Sequence, residues 1–137
     1  MKEDLINKWI AEGIVTEERI LDAFRKIRRE DFILADYSDE AYGDYPLPIL
    51  SGQTISQPTT IMIMTQALMP KHGQKILEIG AGSGYQAAVL AEIVRDVNVA
   101  NGGHERPIVR DGLEPFERDS ELPKYARHPR QPVRPPV

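Results

Sequence analysis

Over the first thirty residues apolar positions recur at helical spacing. Leu5, Ile6, Trp9 and Ile10 share one side of a helix over 5–12, which Gly13 ends at its C-terminus. Thr16 stands before Glu17 and Glu18, an N-cap followed by acids in the first turn, and Ile20, Leu21, Phe24 and Ile27 give a second helix its apolar stripe. Arg25, Lys26, Arg28 and Arg29 gather at its end and read as a solvated face beside the negative end of the helix dipole. From Asp31 to Pro58 the periodicity breaks, and Gly43, Pro46, Pro48, Gly52 and Pro58 mark turns and extended backbone. Tyr42, Tyr45, Leu47, Ile49 and Leu50 make this stretch an ordered, packed loop.

Pro58 suits the first turn of a third helix, with Ile61, Met64 and Leu68 on its buried side and Ile63 and Ala67 beside them. His72 and Gly73 turn the chain into Lys75–Ile79, short and apolar like a buried parallel strand. Gly80, Ala81, Gly82, Ser83 and Gly84 follow, then a helix from Tyr85 to about Val94. Strand, glycine loop and helix open a βαβ unit, so the expected fold class is α/β. After about Arg95 the character changes: residues 95–137 hold seven of the 11 prolines, seven arginines and seven acids, without sustained periodicity. This part reads as a loosely structured tail, with 98–104 a poor strand and 106–110 a short one. The chain therefore divides into residues 1–94, organised, and 95–137, atypical. The abrupt break suggests a tail from a different reading frame or a truncated gene.

Composition narrows the partners. At 137 residues, 41% hydrophobic and 28% charged, the chain has the make-up of one globular domain. No apolar run is long enough to span a bilayer, and the start, Met1 to Asp4, lacks the features of a secretory signal, so a cytoplasmic address is the expectation. Zero cysteines exclude disulfides and thiolate chemistry, and a net charge of -4 offers no global field for nucleic acid or anionic lipid. His72, His104 and His128 have no ligand spacing, so no metal is expected.

Two stretches carry candidate chemistry. In LEIGAGSGYQAAVLAEI three glycines alternate at the top of a strand, with Glu78 two residues before the first. Missing side chains let a ligand approach backbone, and the next helix offers unpaired N–H groups. The dinucleotide fingerprint fails because Tyr85 occupies its last glycine position, and the Gly-Lys-Ser/Thr ending of a P-loop is absent. Three glycines also exceed what one tight turn requires. The second stretch is GQTISQP, 52–58, where Ser56 reads either as the cap of the third helix or as an orienting hydroxyl.

The pattern E-x-G-x-G-x-G after an apolar strand resembles the first motif of Rossmann-like methyltransferases that use S-adenosylmethionine. AYGDYPLPILSGQTISQP, 41–58, together with LEIGAGSGYQAAVLAEIV, 77–94, resembles the protein-L-isoaspartate O-methyltransferase family, as does RREDFI, 28–33, with Arg28 where proline is more usual. The resemblance implies N-terminal helices plus the start of a Rossmann-like sheet, incomplete in this chain, and S-adenosylmethionine as methyl donor. It implies Ser56 at the active-site serine position, with Thr54 and Ile55 flanking cofactor and substrate. Glu78, Gly80, Gly82, Ser83 and Gly84 would line the cofactor. The acceptor implied is the free carboxylate of L-isoaspartyl residues in damaged proteins and peptides. Glu105 sits where nucleotide folds place a ribose-binding acid, but on the poor strand. Two alternatives stay open: a truncated, non-catalytic remnant, and a superfamily member with another acceptor.

Overall fold

The computed structural model describes residues 1–49, 52–101 and 104–109. Leu50, His128 and the chain from Arg110 onward lie outside the described residues.

Helices α1 (Lys2–Ala11) and α2 (Glu18–Lys26) pack through Leu5, Ile6 and Trp9 against Ile20, Leu21 and Phe24, all buried. The Trp9 and Phe24 rings meet edge to face with centroids 4.7 Å apart. Full burial of a side chain of this size contributes about 1.5–3 kcal/mol, which is why apolar spacing located these helices. Ile10, the fourth member of the expected stripe, is exposed. Thr16 does not cap α2. The N-cap is Glu17, without a side-chain bond, and Gln66 Oε1 from the third helix accepts the Thr16 and Glu17 N–H groups at 3.0 and 3.4 Å. At the other end Lys2 Nζ donates to the Arg25 and Ile27 carbonyls at 2.6 and 3.4 Å, tying α1 to the carbonyl end of α2.

The segment that follows is ordered, as expected. Short 3₁₀ turns span Arg29–Phe32 and Ala35–Glu40, and β1 (Leu47–Pro48) pairs antiparallel with β2 (Thr54–Ile55). Leu47 and Ile55 face each other in that pair, and both are buried. Helix α3 (Pro58–Leu68) starts at Pro58, but its buried side is Pro58, Thr59, Ile61, Met62 and Thr65. The expected stripe is corrected here: Ile63, Met64 and Leu68 are 51%, 42% and 52% exposed. Threonines take the inner positions because their hydroxyls find partners there, Thr65 Oγ1 donating to the Ile61 carbonyl at 2.8 Å.

Strand β3 (Lys75–Ile79) leads through the glycine loop to α4 (Tyr85–Val94) and back to β4 (Asp96–Asn101), parallel to β3 with Ile76 opposite Val97. β5 (His104–Val109) returns antiparallel, giving the order β3-β4-β5. Order thus continues past Val94, where the sequence reading ended it. Asparagines at 98 and 101 weaken strand propensity, yet parallel pairing to β3 and the fully buried Val97 outweigh it. Glu105 falls on β5 opposite Ala100. Helix α4 packs against α2 and β4. Leu77 and Ile79, alternating to the outer face of β3, are 53% and 79% exposed. The result is an α/β arrangement with an incomplete Rossmann-like sheet, of which β3 is an edge among the described strands.

Candidate functional site

The glycine loop joins β3 to α4. Gly80, Gly82 and Gly84 have φ of +76°, +55° and +82°, the left-handed region that side chains disfavour. All three glycines are therefore required by backbone conformation, so the sequence argument that one turn needs only one was too narrow. A Cβ added to Gly80 or Gly84 would meet nothing within 4 Å, so open space also lies over the loop. The Tyr85 N–H donates to Ser83 Oγ at 3.3 Å, placing Ser83 at the amino end of α4.

Glu78 reaches the same end of β3, half-buried. Its Oε2 is fully buried with no hydrogen-bond partner among the described residues, and burial pushes its carboxyl up to about 7. An orphaned acceptor beside an uncovered glycine loop fits a ligand that brings hydrogen-bond donors, as the hydroxyl and ammonium groups of S-adenosylmethionine would. The raised value carries a pH signature. A carboxyl whose folded pKa lies above its unfolded value of 4.5 contributes stability below that value and loses it as pH rises through about 7. Glu78→Gln should leave stability unchanged near pH 4.5 and raise it above pH 7. The gain is on the order of 1–3 kcal/mol, discounted from the full shift because the side chain is partly exposed. Urea titrations at the two pH values measure it; no gain at the higher pH would mean that the carboxylate is already paired.

In the serine loop Thr54 and Ser56 are exposed and Ile55 is buried. The cap reading of Ser56 is corrected: the N-cap of α3 is Gln57, and the Ser56 hydroxyl has no hydrogen-bond partner among the described residues. Asp44 serves α3 from outside, its carboxylate accepting the Thr59 N–H at 3.1 Å and the Thr59 hydroxyl at 2.7 Å. Burial works against the Asp44 anion, but the bonds from Thr59 and Lys8 outweigh it and hold its pKa below the usual carboxylate value. Trp9 Nε1–H donates to Thr59 Oγ1 at 2.8 Å and completes a relay from α1 through α3 to the Asp44 loop. Ser56 is left with an uncommitted hydroxyl at the protein surface.

Arg29 was read as part of a solvated charge run and is fully buried instead. Its Nη2 donates to the Ser56 carbonyl at 2.8 Å, and its Cζ lies 5.2 Å from the centroid of the Tyr85 ring. Tyr85, the first residue of α4, is also fully buried and meets Phe32 edge to face at 5.4 Å. One guanidinium thus stands between the serine loop and the helix that follows the glycine loop, bringing the two predicted stretches together. The available signal was the break in helical phase. α2 ends at Lys26, and Ile27 and Arg28 are extended (ψ 121° and 115°), so Arg29 cannot be assigned a side by continuing the helix. Arg25, by contrast, bonds outward to Glu18 and Asp22.

A separate hollow of about 390 Å³, lined by Arg19, Asp22, Lys26, His72 and Glu92 among others, contains no residue of the serine loop or the glycine loop. Among the described residues no group of three His, Cys, Asp or Glu is placed to hold a metal ion, and no helix is long and apolar enough to cross a membrane.

Residues 1–120 match the family model for protein-L-isoaspartate(D-aspartate) O-methyltransferase. A protein-L-isoaspartate O-methyltransferase of Cereibacter sphaeroides is 46% identical over 104 residues, covering 76% of this chain and 47% of the relative. The enzyme so named in Methanopyrus kandleri is 47% identical over 94 residues, covering 69% and 42%. A solved protein-L-isoaspartate O-methyltransferase superposes with TM-score 0.60 at 30% identity, over 72% of this chain and 32% of that one. A Plasmodium falciparum chain described as the same type of enzyme, in complex with S-adenosyl-L-homocysteine, gives TM-score 0.57 at 25% identity, over 66% and 40%. The chain spans about half the length of the curated relatives it matches. Over the part it spans, from the helices through the serine loop to the glycine loop and beyond, the chain belongs to the protein-L-isoaspartate(D-aspartate) O-methyltransferase family.

Proposed function

We propose that this chain carries the donor- and acceptor-facing part of an enzyme that methylates the free carboxylate of L-isoaspartyl residues in damaged proteins and peptides. The observation that carries this reading is the meeting of the serine loop and the start of α4 around Arg29, because both family-specific stretches then border one region. Glu78, Gly80, Gly82, Ser83 and Gly84 would hold S-adenosylmethionine, with Thr54 and Ile55 at its flank. The cofactor supplies an electrophilic methyl group on a sulfonium.

The residues of the chain need only bind, orient and keep water away. A carboxylate with an unperturbed pKa of about 4 is already ionised at neutral pH, so no general base is required. That fits a surface hydroxyl with no histidine partner: Ser56 donates a hydrogen bond to one carboxylate oxygen and leaves the other to attack. With S-adenosylmethionine held by Glu78 and the glycine loop, it would supply the methyl group to that oxygen and leave as the neutral thioether S-adenosylhomocysteine, so the residues of this chain would have no proton to move. An anion and a cation neutralise each other in this step, so a site with water excluded favours it. The ester then cyclises to a succinimide whose hydrolysis returns some normal aspartate, a protein-repair role that belongs with a cytoplasmic enzyme acting on peptides. On this reading the residues assigned to donor and acceptor all lie within 1–94, and β4 and β5 extend the sheet behind them.

A second reading, a non-catalytic remnant, is favoured by the exposed outer face of β3 at Leu77 and Ile79. Radiolabelled methyl transfer to an isoaspartyl peptide and to its normal aspartyl twin tests the first reading. The expected result is incorporation into the isoaspartyl peptide alone. Equal labelling of both peptides would point to another acceptor, and absence of both labelling and calorimetric heat with S-adenosylhomocysteine would establish the remnant.

A further inference from the structure

Arg29 is an expensive residue to keep where it is. Its side chain is fully buried, yet no carboxylate pairs with it among the described residues, and Nε and Nη1 have no hydrogen-bond partner there. Desolvation acts against its charge and lowers its pKa. A buried cation with two unpaired donors destabilises a fold, and an apolar side chain of similar length would pack there at lower cost. Packing alone therefore gives no reason for arginine at this position. Its two contacts do: the bond to the Ser56 carbonyl is the one side-chain hydrogen bond that Ser56 receives among the described residues, and the ring under the guanidinium belongs to the first residue of α4. Apart from Ile55, buried opposite Leu47, the loop has little to hold it, since β2 is two residues long and Thr54 and Ser56 are exposed.

We infer that Arg29 is a positioning residue, a latch that fixes the Ser56 loop relative to the amino end of α4 and so sets the distance between the Ser56 hydroxyl and the glycine loop. The inference rests on the proposed methyl transfer for its purpose, but the latch itself is a statement about the unliganded chain. Tyr85 is the second half of the device. Its ring gives the guanidinium a face to lie on, a cation–π contact that geometry supports at 5.2 Å.

The test is hydrogen exchange on the full chain without ligand, comparing wild type with Arg29→Met and Arg29→Lys. Methionine keeps the volume and removes the donors; lysine keeps the charge and one point of attachment. Arg29→Met is expected to fold with a Tm at or above that of wild type. Its exchange at residues 54–57 should rise about tenfold or more while α1 stays as protected as before. Arg29→Lys should recover part of that protection. Where turnover is measurable, Arg29→Met should lower kcat about tenfold with KM for S-adenosylmethionine unchanged.

Wild-type exchange at 54–57 in Arg29→Met, an even rise across α1 and α4, or failure of both variants to fold would each overturn the latch and leave Arg29 as a core prop. If wild type neither binds S-adenosylhomocysteine nor turns over, the functional reading falls, and the exchange pattern still decides the latch.

Discussion

Trp9→Ala is expected to abolish cooperative unfolding at 37 °C. Trp9 is fully buried, its ring meets Phe24 edge to face, and its indole N–H is bonded to Thr59 Oγ1 at 2.8 Å. Truncating a buried aromatic residue costs about 3–5 kcal/mol, the sum of lost transfer energy and the cavity left behind. Against a total of about 5–15 kcal/mol for a whole domain, and less for a chain that leaves Leu77 and Ile79 of β3 exposed, this removes much of the stability. The cost also spreads, because Thr59 passes the contact on to Asp44, which holds the first turn of α3. Trp9→Phe separates the two contributions: it keeps most of the packing and loses the hydrogen bond, for about 1 kcal/mol. Far-ultraviolet circular dichroism melts of both variants check this. A Trp9→Ala melt within a few degrees of wild type would mean that α1 is not integral to the core.

How much of this was legible in the sequence depends on which force decided each position. Where apolar burial alone decides, the reading holds: α2 and α4 lie where spacing put them, and Pro58 starts α3, whereas β3 forms at 75–79 but as an edge strand with Leu77 and Ile79 exposed, not as the buried strand expected. The fold class and the family follow from those elements and from two short motifs. Where a distant partner decides, local rules fail in a consistent way. Thr16 and Ser56 look like caps because each precedes a helix, but Gln66 and Asp44, 50 and 15 residues away from the groups they bind, supply the acceptors. Met64 and Leu68 look buried and Thr65 does not, because a hydropathy pattern cannot see that the threonine hydroxyl will bond to the Ile61 carbonyl. Asn98 looks wrong for a strand because its pairing partner, Leu77, lies 21 residues earlier across a parallel crossover. Arg29 is the sharpest case. Four cations in five residues read as a solvent face, and only the turn after Lys26 brings one of them to the interior.

The same distinction bears on the candidate site. Its glycines were legible because φ is a local property, and all three occupy the left-handed region. Glu78 was legible as a position but not as a state, since burial of one oxygen without a partner depends on the packing around β3. That the two motifs converge follows from the resemblance, which puts both beside one cofactor; the residue that joins them, Arg29, was not legible, because it belongs to neither.

Ser56→Ala is expected to lower methyl transfer by about 100-fold with little change in affinity for S-adenosylhomocysteine, the loss that a misplaced acceptor causes. The reasoning starts from what the hydroxyl is not doing. It caps no helix and bonds to no described residue, while its carbonyl, which the substitution leaves intact, keeps the bond from Arg29. Alanine at an exposed site with these contacts should shift stability by less than about 0.5 kcal/mol, so a change in turnover cannot be ascribed to unfolding. The residues proposed to hold the cofactor, Glu78, Gly80, Gly82 and Gly84, are untouched, so donor affinity should hold. What is lost is the donor that pins one carboxylate oxygen, and with it the orientation of the other towards the methyl group. Because orientation acts in the transition state, kcat should carry most of the loss, and Ser56→Thr, which retains the hydroxyl, should recover part of it. Steady-state kinetics with an isoaspartyl peptide, beside calorimetry with S-adenosylhomocysteine, separates the outcomes. A rate equal to wild type in Ser56→Ala would remove the hydroxyl from the chemistry and leave the loop backbone, held by Arg29, as the part of GQTISQP that matters.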